Sequence, residues 1–90
     1  MTYEIRVSPA VVKQLRKLDR QSRALLQGTI ESLAEQPRPP RAAKIVGGTV
    51  EYRVRAGDFR VLYEIHDRQL LVLVVTIGRR DDVYEVFRRR

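Results

Sequence analysis

Three arginines, Arg53, Arg55 and Arg60, are close to one another in the sequence, in the second half of the chain. The Gly57-Asp58 pair between them suits a two-residue β-hairpin loop, because both residues tolerate the backbone angles of such turns. A hairpin closed there predicts that Arg55 lies directly opposite Arg60, with Arg53 on the same face of the sheet. Like charges opposed across two strands are destabilising, so the cluster favours a site for an anion. A solvated polar face, screened by salt, is the alternative interpretation of the same residues.

A second basic block, Gly78-Arg79-Arg80, follows the last predicted strand, and Tyr84 comes shortly after it. We predict that this strand ends beside Arg60, so that the two basic blocks meet. Arginines around one phosphate can bind it bidentately and stabilise the added charge of a pentacovalent transition state. RNA supplies its own nucleophile, the 2′-OH, so its cleavage needs positioning, charge stabilisation and two proton transfers, but no metal. Tyr84 is placed to take or relay one of those protons.

The elements that must position this cluster form a single predicted α+β domain over residues 1–90. In chain order they are a strand at 3–7, helices at 9–18 and 22–35, a basic proline-rich loop at 37–48, and strands at 50–55, 59–66 and 69–77. Ser8-Pro9 is typical of a helix start, and in the first helix we expect Gln14 to face water beside Lys13. The last three strands form an antiparallel meander. We therefore expect a four-stranded sheet with both helices packed on one face.

The second hairpin of the meander determines which residues lie on the other face of the sheet. With Asp67-Arg68 as its loop, the predicted pairs are Ile65 with Leu70, Tyr63 with Val72, and Val61 with Val74. The opposite face then carries an apolar patch beside the arginines, made of Leu62, Leu71, Leu73, Val75 and Ile77. Such a patch either marks a partner surface or is covered by the C-terminal segment Val83–Phe87.

The composition narrows the kinds of site that the chain can build. Its formal net charge of +7 favours contact with a polyanion, because phosphate contacts release counterions. There is no cysteine and a single histidine, His66, which excludes thiolate and histidine-based metal sites. We place His66 at the far hairpin turn and expect no catalytic role for it. No apolar run is long enough to span a bilayer and no signal-peptide pattern is present, so we expect a cytoplasmic protein without metal or other cofactor.

These blocks of sequence resemble the RelE/ParE toxin superfamily of bacterial toxin–antitoxin modules. The resemblance covers nearly the whole chain, and its most specific parts are YRVRAGDFRVLYEI at 52–65 and IGRRDDVY at 77–84. It also includes Leu15-Arg16-Lys17-Leu18 in the first helix and the proline-rich exit from the second. RelE-type members cut messenger RNA in the ribosomal decoding site. The resemblance therefore implies a metal-independent endoribonuclease that inhibits translation.

The functional residues of RelE-type toxins match five positions of this sequence, which are Arg53, Arg55, Arg60, Arg80 and Tyr84. The resemblance implies that Arg60 and Arg80 stabilise the phosphate and that Tyr84 handles the 2′-OH proton. It also implies that Arg53 and Arg55 bind the substrate. In the best-studied member the first two positions are lysines, and the last two positions are further apart.

The resemblance leaves a second activity open, because ParE-type toxins share the fold but poison DNA gyrase and need no RNA-cleaving residues. A third interpretation is a non-catalytic module whose basic face binds nucleic acid or a protein partner. The presence of all five basic and aromatic positions favours the ribonuclease. Its implied partners are the ribosome with messenger RNA, and a cognate antitoxin that covers the arginine face and the apolar patch. Operator DNA is then contacted only through the complex with the antitoxin.

Overall fold

The computed structural model describes residues 2–79 and 81–85, which form two helices and a five-stranded mixed sheet. The strands are β1 Glu4–Val7, β2 Ala43–Lys44, β3 Glu51–Ala56, β4 Phe59–His66 and β5 Leu71–Gly78, and the helices are α1 Pro9–Arg16 and α2 Arg20–Ser32. Short 3₁₀ turns span Asp67–Gln69 and Asp81–Tyr84. The α+β class predicted from the sequence is confirmed.

Each helix begins at a side-chain cap that the sequence supplies locally. Ser8 Oγ accepts a hydrogen bond from the Val11 backbone N–H at 3.3 Å, just before the proline that opens α1. Asp19 Oδ2 accepts from the Ser22 N–H at 3.1 Å and caps α2 in the same way, so this helix begins earlier than predicted. Over the described residues, no helix has the length and apolar character that a membrane crossing requires.

The sheet order is β1-β5-β4-β3-β2, with β1 parallel to β5 and the other neighbours antiparallel. The register predicted for the first hairpin is confirmed, with Tyr52 opposite Tyr63, Val54 opposite Val61, and Arg55 opposite Arg60. The sheet has five strands and not the four expected, because Ala43–Lys44, which lies within the predicted loop 37–48, forms a short strand that pairs with β3. A two-residue strand is too short for an alternating pattern to reveal it.

The register predicted for the second hairpin is wrong by two residues. The observed pairs are Ile65 with Val72 and Tyr63 with Val74, instead of Leu70 and Val72. The turn is longer than predicted, because Asp67–Gln69 form a 3₁₀ turn and Leu70 adopts a left-handed backbone with φ 49°. A shift of two residues keeps each side chain on its own face of the sheet, so the apolar face predicted for the helices is preserved.

A β-bulge between Leu62 and Tyr63 shifts the register once more before the strands end. Beyond it, Val61 lies opposite Ile77, and not opposite Val74 as predicted. A bulge inserts an extra residue into one strand and so changes which face the following side chains occupy. Ile77 is therefore buried in the core with the helices, and its predicted place on the outer apolar patch is wrong.

The core lies between the two helices and one face of the sheet. Its fully buried members include Val11, Leu26, Leu33, Val54, Val61, Tyr63, Val72 and Val74. On the other face Leu62 is also buried, whereas Leu71, Leu73 and Val75 are only partly buried. The 3₁₀ turn Asp81–Tyr84 packs against β4 and β5. Val83, in the C-terminal segment predicted to cover this face, lies against Gly78 at the end of β5. Val86 and Phe87 lie outside the described residues.

Candidate functional site

An open pocket of about 300 Å³ lies where the β3–β4 turn meets the end of β5. The described residues that line it are Arg55, Gly57, Asp58, Phe59, Arg60 and Arg79. The lining therefore includes three arginines and one aspartate. It suits an anion with several acceptor oxygens, because each guanidinium offers N–H donors in a fixed planar fork.

Arg55 and Arg60 enter the pocket from neighbouring strands. They are cross-strand partners beside the turn, in which Gly57 takes a left-handed backbone with φ 60°. Arg60 Nη1 donates a 2.6 Å hydrogen bond to the carbonyl oxygen of Arg79. This bond ties the Arg60 side chain to the residue that follows β5. The placement of these two arginines is as the hairpin predicted, and what they bind stays a prediction.

Arg79 is a lining residue that the sequence did not single out. Its guanidinium carbon lies 4.7 Å from the centroid of the Phe59 ring, which is the geometry of a cation–π contact. Only a partial signal for this role is present in the sequence, because Arg79 belongs to the basic block after β5 but its contact with Phe59 depends on the β4–β5 register.

Arg53 shares the face of Arg55 but does not line the pocket. It lies opposite Leu62 on one side and Ala43 on the other, and its side chain is partly exposed. Within the described part of the chain, none of the ion pairs involves Arg53 or Arg55. The β3 cations therefore flank and line the pocket without internal neutralisation by the described acids.

The two C-terminal site residues predicted from the sequence have different outcomes. Tyr84 closes the 3₁₀ turn Asp81–Tyr84 and is partly buried, in a segment that packs on β4 and β5. Arg80 lies outside the described residues. The turn that carries Tyr84 thus returns to the strands that carry Arg60 and lead into Arg79.

The acidic side chains on the arginine face are engaged locally. Glu51 and Glu64 face each other across β3 and β4, further from the turn than the arginines. The Glu51 carboxylate accepts hydrogen bonds from the backbone N–H groups of Thr49 and Val50 at 3.0 and 3.2 Å. Glu64 contacts His66 Nε2 at 2.9 Å. Among residues 2–79 and 81–85, no set of His, Asp and Glu side chains is arranged to hold a metal ion.

Two polar side chains support the end of β5, one from the residue that caps α1 and one from within α1. β1 pairs with β5 only as far as Val74, and beyond it Ser8 Oγ donates to the Val75 carbonyl at 2.8 Å. The Gln14 amide then accepts from the Ile77 N–H at 3.2 Å and donates to the Ile77 carbonyl at 3.0 Å. The expectation that Gln14 faces water is wrong, because its partners lie at the far end of the sequence. These bonds hold the segment that leads into Arg79.

A separate ionic cluster lies at the β4–β5 turn. Arg38 binds Asp67 through both terminal nitrogens, at 2.8 and 3.2 Å, and its Nε donates to the Tyr52 hydroxyl at 3.1 Å. The Tyr3 hydroxyl donates to the same carboxylate at 2.7 Å. Hydrogen bonds from Arg38 and then Tyr3 lower the pKa of Asp67 to about 2. The cluster joins the start of the chain, the proline-rich loop and the turn.

Comparisons with known proteins agree on one family. A family model described as the ParE toxin of the type II toxin–antitoxin system, parDE, matches residues 5–84. A protein described as RelE-like toxin from Escherichia coli is 30% identical over 94 residues, which cover 100% of this chain and 98% of the relative. A protein described as toxin RelE1 from Methanocaldococcus jannaschii is 27% identical over 88 residues, covering 94% and 98%.

Solved structures show the same similarity. The archaeal RelE–RelB complex from Pyrococcus horikoshii contains a chain with a TM-score of 0.80 and 26% identity, covering 90% of this chain and 98% of that chain. The intact E. coli RelBE toxin–antitoxin complex contains one with a TM-score of 0.74 and 25% identity, covering 88% and 98%. In both complexes the similar protein is accompanied by an antitoxin.

Proposed function

The chain belongs to the RelE/ParE superfamily of toxins from type II toxin–antitoxin systems, and on that premise we propose that it is a ribosome-dependent messenger RNA endoribonuclease. The observation that supports this activity is the pocket in which Arg55 and Arg60 meet from adjacent strands, together with Arg79. A ribosomal target implies that the protein acts in the cytoplasm, where it inhibits translation.

The proposed reaction is transesterification at a phosphodiester held by the arginines. The 2′-oxygen attacks the adjacent phosphorus, a new P–O2′ bond forms, and the bond to the 5′-oxygen of the next nucleotide breaks. Arg60 and Arg80 stabilise the charge that develops on the phosphoryl oxygens, and Arg53 and Arg55 hold the substrate backbone. Tyr84 relays the 2′-OH proton to solvent water, because its phenol oxygen accepts that proton as its own proton leaves. The 5′-oxygen takes a proton from solvent water as its bond to phosphorus breaks. The residues proposed for these roles are not metal ligands.

The proposed regulator is a cognate antitoxin. The similar proteins from P. horikoshii and E. coli were solved in complex with RelB antitoxins. For this chain, we expect the antitoxin to cover the arginine pocket and the partly exposed side chains of Leu71, Leu73 and Val75. We also expect the toxin to reach operator DNA only through that complex.

Cleavage of messenger RNA on programmed ribosomes, with the cut ends mapped by primer extension, tests the proposal. Arg60→Ala is expected to slow cleavage by about a hundredfold or more, since it removes one donor to the developing charge. Arg68→Ala is the matched control, because Arg68 is an exposed arginine in the turn Asp67–Gln69, and it should leave the rate unchanged. Wild-type protein that leaves the message intact would contradict the ribonuclease.

Inhibition of DNA gyrase is the second candidate function, and the ParE description of the matching family model favours it. A supercoiling assay with purified gyrase distinguishes the two activities. Loss of supercoiling that persists in Arg60→Ala, with intact messenger RNA, would support the gyrase target. If the protein binds RNA but neither cleaves messenger RNA nor inhibits gyrase, the remaining interpretation is a non-catalytic binding module.

A further inference from the structure

We propose that Arg79 is an additional phosphate-binding residue of the pocket, held ready for single-stranded RNA by its contact with Phe59. This inference deepens the proposed function by adding a substrate contact, and it rests on that function for the identity of the polyanion. The role proposed for Arg79 is in binding, so it can be tested in an assay that does not depend on cleavage.

The contact with Phe59 restricts a side chain that is otherwise free to move. Phe59 is 6% exposed and belongs to the core, so the position of its ring is set by core packing. The Arg79 guanidinium lies 4.7 Å from the ring centroid, and the residue itself is exposed. An arginine fixed in this way loses less conformational entropy when it binds a ligand. The guanidinium thus contacts the ring while Arg79 also lines the pocket.

Arg79 is also coupled to Arg60 through its main chain. Its carbonyl oxygen accepts the 2.6 Å hydrogen bond from Arg60 Nη1, while its side chain lines the same pocket. One residue therefore orients a neighbouring guanidinium and supplies a second one. Because the carbonyl belongs to the backbone, replacing the side chain with alanine leaves the bond to Arg60 in place. Such a variant isolates the contribution of the Arg79 guanidinium.

The charge of the pocket favours a backbone phosphate as the ligand. Arg55, Arg60 and Arg79 together outweigh the single carboxylate of Asp58 among the described lining residues. The pocket is open to solvent, so a flexible single strand can bring one of its backbone phosphates into it. Arginine contacts to phosphates position the strand without reading its sequence. We therefore expect little dependence of the Arg79 contact on base identity.

Fluorescence anisotropy with a labelled single-stranded RNA that carries 2′-O-methyl groups measures binding while cleavage is blocked. Arg79→Ala is expected to weaken binding about five- to tenfold, since one charge-assisted contact is lost. The slope of log affinity against log salt should also fall by about 0.7, the value for one phosphate contact on a single strand. Arg68→Ala removes the same charge away from the pocket and should leave this slope unchanged. Arg79→Lys should fall between wild type and Arg79→Ala.

The role of the ring is tested by Phe59→Leu, alone and combined with Arg79→Ala. If the ring acts by holding the guanidinium, Phe59→Leu weakens binding in the wild-type background but adds little to Arg79→Ala. Far-ultraviolet circular dichroism checks that these variants remain folded. An Arg79→Ala variant with wild-type affinity and salt slope would overturn the inference, as would an equal effect of Arg68→Ala. Failure of the ribosomal cleavage assay would leave these binding results intact, so the two proposals fail separately.

Discussion

Asp58 is a carboxylate in a pocket otherwise suited to anions, and its position follows from the hairpin turn that it forms with Gly57. Aspartate is favoured in such turns for its backbone preferences, so turn geometry alone accounts for it. Its charge nevertheless opposes a phosphate bound by Arg55 and Arg60. No ion pair among the described residues involves Asp58, so its charge acts on whatever enters the pocket.

We predict that Asp58→Asn tightens RNA binding by about two- to fivefold at low salt, because it removes one repulsive charge from the pocket. The gain should diminish as salt is raised. Anisotropy titrations over a range of salt concentrations measure it, with Glu31→Gln on the exposed surface of α2 as the charge-matched control. A variant that binds RNA normally but cleaves it slowly would instead assign Asp58 a part in proton transfer.

At the residue scale, the positions that depend on local turn chemistry could be predicted from the sequence. Arg55 and Arg60 lie opposite each other because Gly57-Asp58 closes a short hairpin, and both signals lie within a few residues. Helical periodicity predicts that Gln14 faces water, because it takes account only of neighbours in the sequence. Its actual partner, Ile77, lies 63 residues away, and no local pattern contains that information.

At the element scale, the end of β5 is held on two sides. On one side, the α1 cap Ser8 binds its backbone at Val75 and Gln14 of α1 binds it at Ile77. On the other side, the 3₁₀ turn Asp81–Tyr84 packs over Gly78. A Cβ at Gly78 would overlap Val83 Cγ1, so glycine is needed there for close approach of the turn. The position of Tyr84 relative to Arg60 depends on that approach.

We predict that Gly78→Ala displaces the turn and reduces cleavage at least tenfold, since displacements of about 1 Å near reacting groups can cost a hundredfold in rate. Val83→Ala removes the overlapping methyl group, and the double variant Gly78→Ala/Val83→Ala should recover much of the activity. Cleavage rates on ribosomes, with urea unfolding as the measure of stability, test this. If the double variant is no better than Gly78→Ala alone, contact with Val83 is not the reason for the glycine.

The errors in strand register also belong to this scale. The β4–β5 turn is longer than predicted because Leu70 takes a left-handed backbone, which a leucine seldom does. Glycine or asparagine would have signalled such a turn, and leucine gives no such signal. The β-bulge beside Leu62 likewise has no local sequence marker, although it moves Ile77 from the outer face into the core.

At the scale of the whole molecule, the cluster of Tyr3, Arg38 and Asp67 joins three distant parts of the chain. Its bonds link the residue before β1, the proline-rich loop and the β4–β5 turn. Because the folded state lowers the pKa of Asp67 to about 2 from 3.8, the ionised carboxylate stabilises the fold at pH values above 3.8. That stabilisation is lost as the pH falls through the folded pKa.

We predict that Asp67→Asn lowers the urea midpoint of unfolding at neutral pH, and that its difference from wild type shrinks as the pH falls from about 4 to about 2. Both partners are largely exposed, with 45% and 56% of their side chains accessible, so we expect a modest effect that weakens with salt. Unfolding curves at several pH values measure the difference. If the difference in urea midpoint between Asp67→Asn and wild type stays constant over this pH range, the ionised Asp67 carboxylate is not the source of the stabilisation.

The parallel pairing of β1 with β5 has a consequence for synthesis of the protein. The first strand made has no sheet neighbour until residues 71–74 have been translated, and the carbonyl that anchors Arg60 belongs to Arg79, still later in the chain. Contacts of such long range form slowly and late. Nascent chains that stop before residue 71 therefore lack the partner strand of β1, and chains that stop before residue 79 also lack the carbonyl that anchors Arg60.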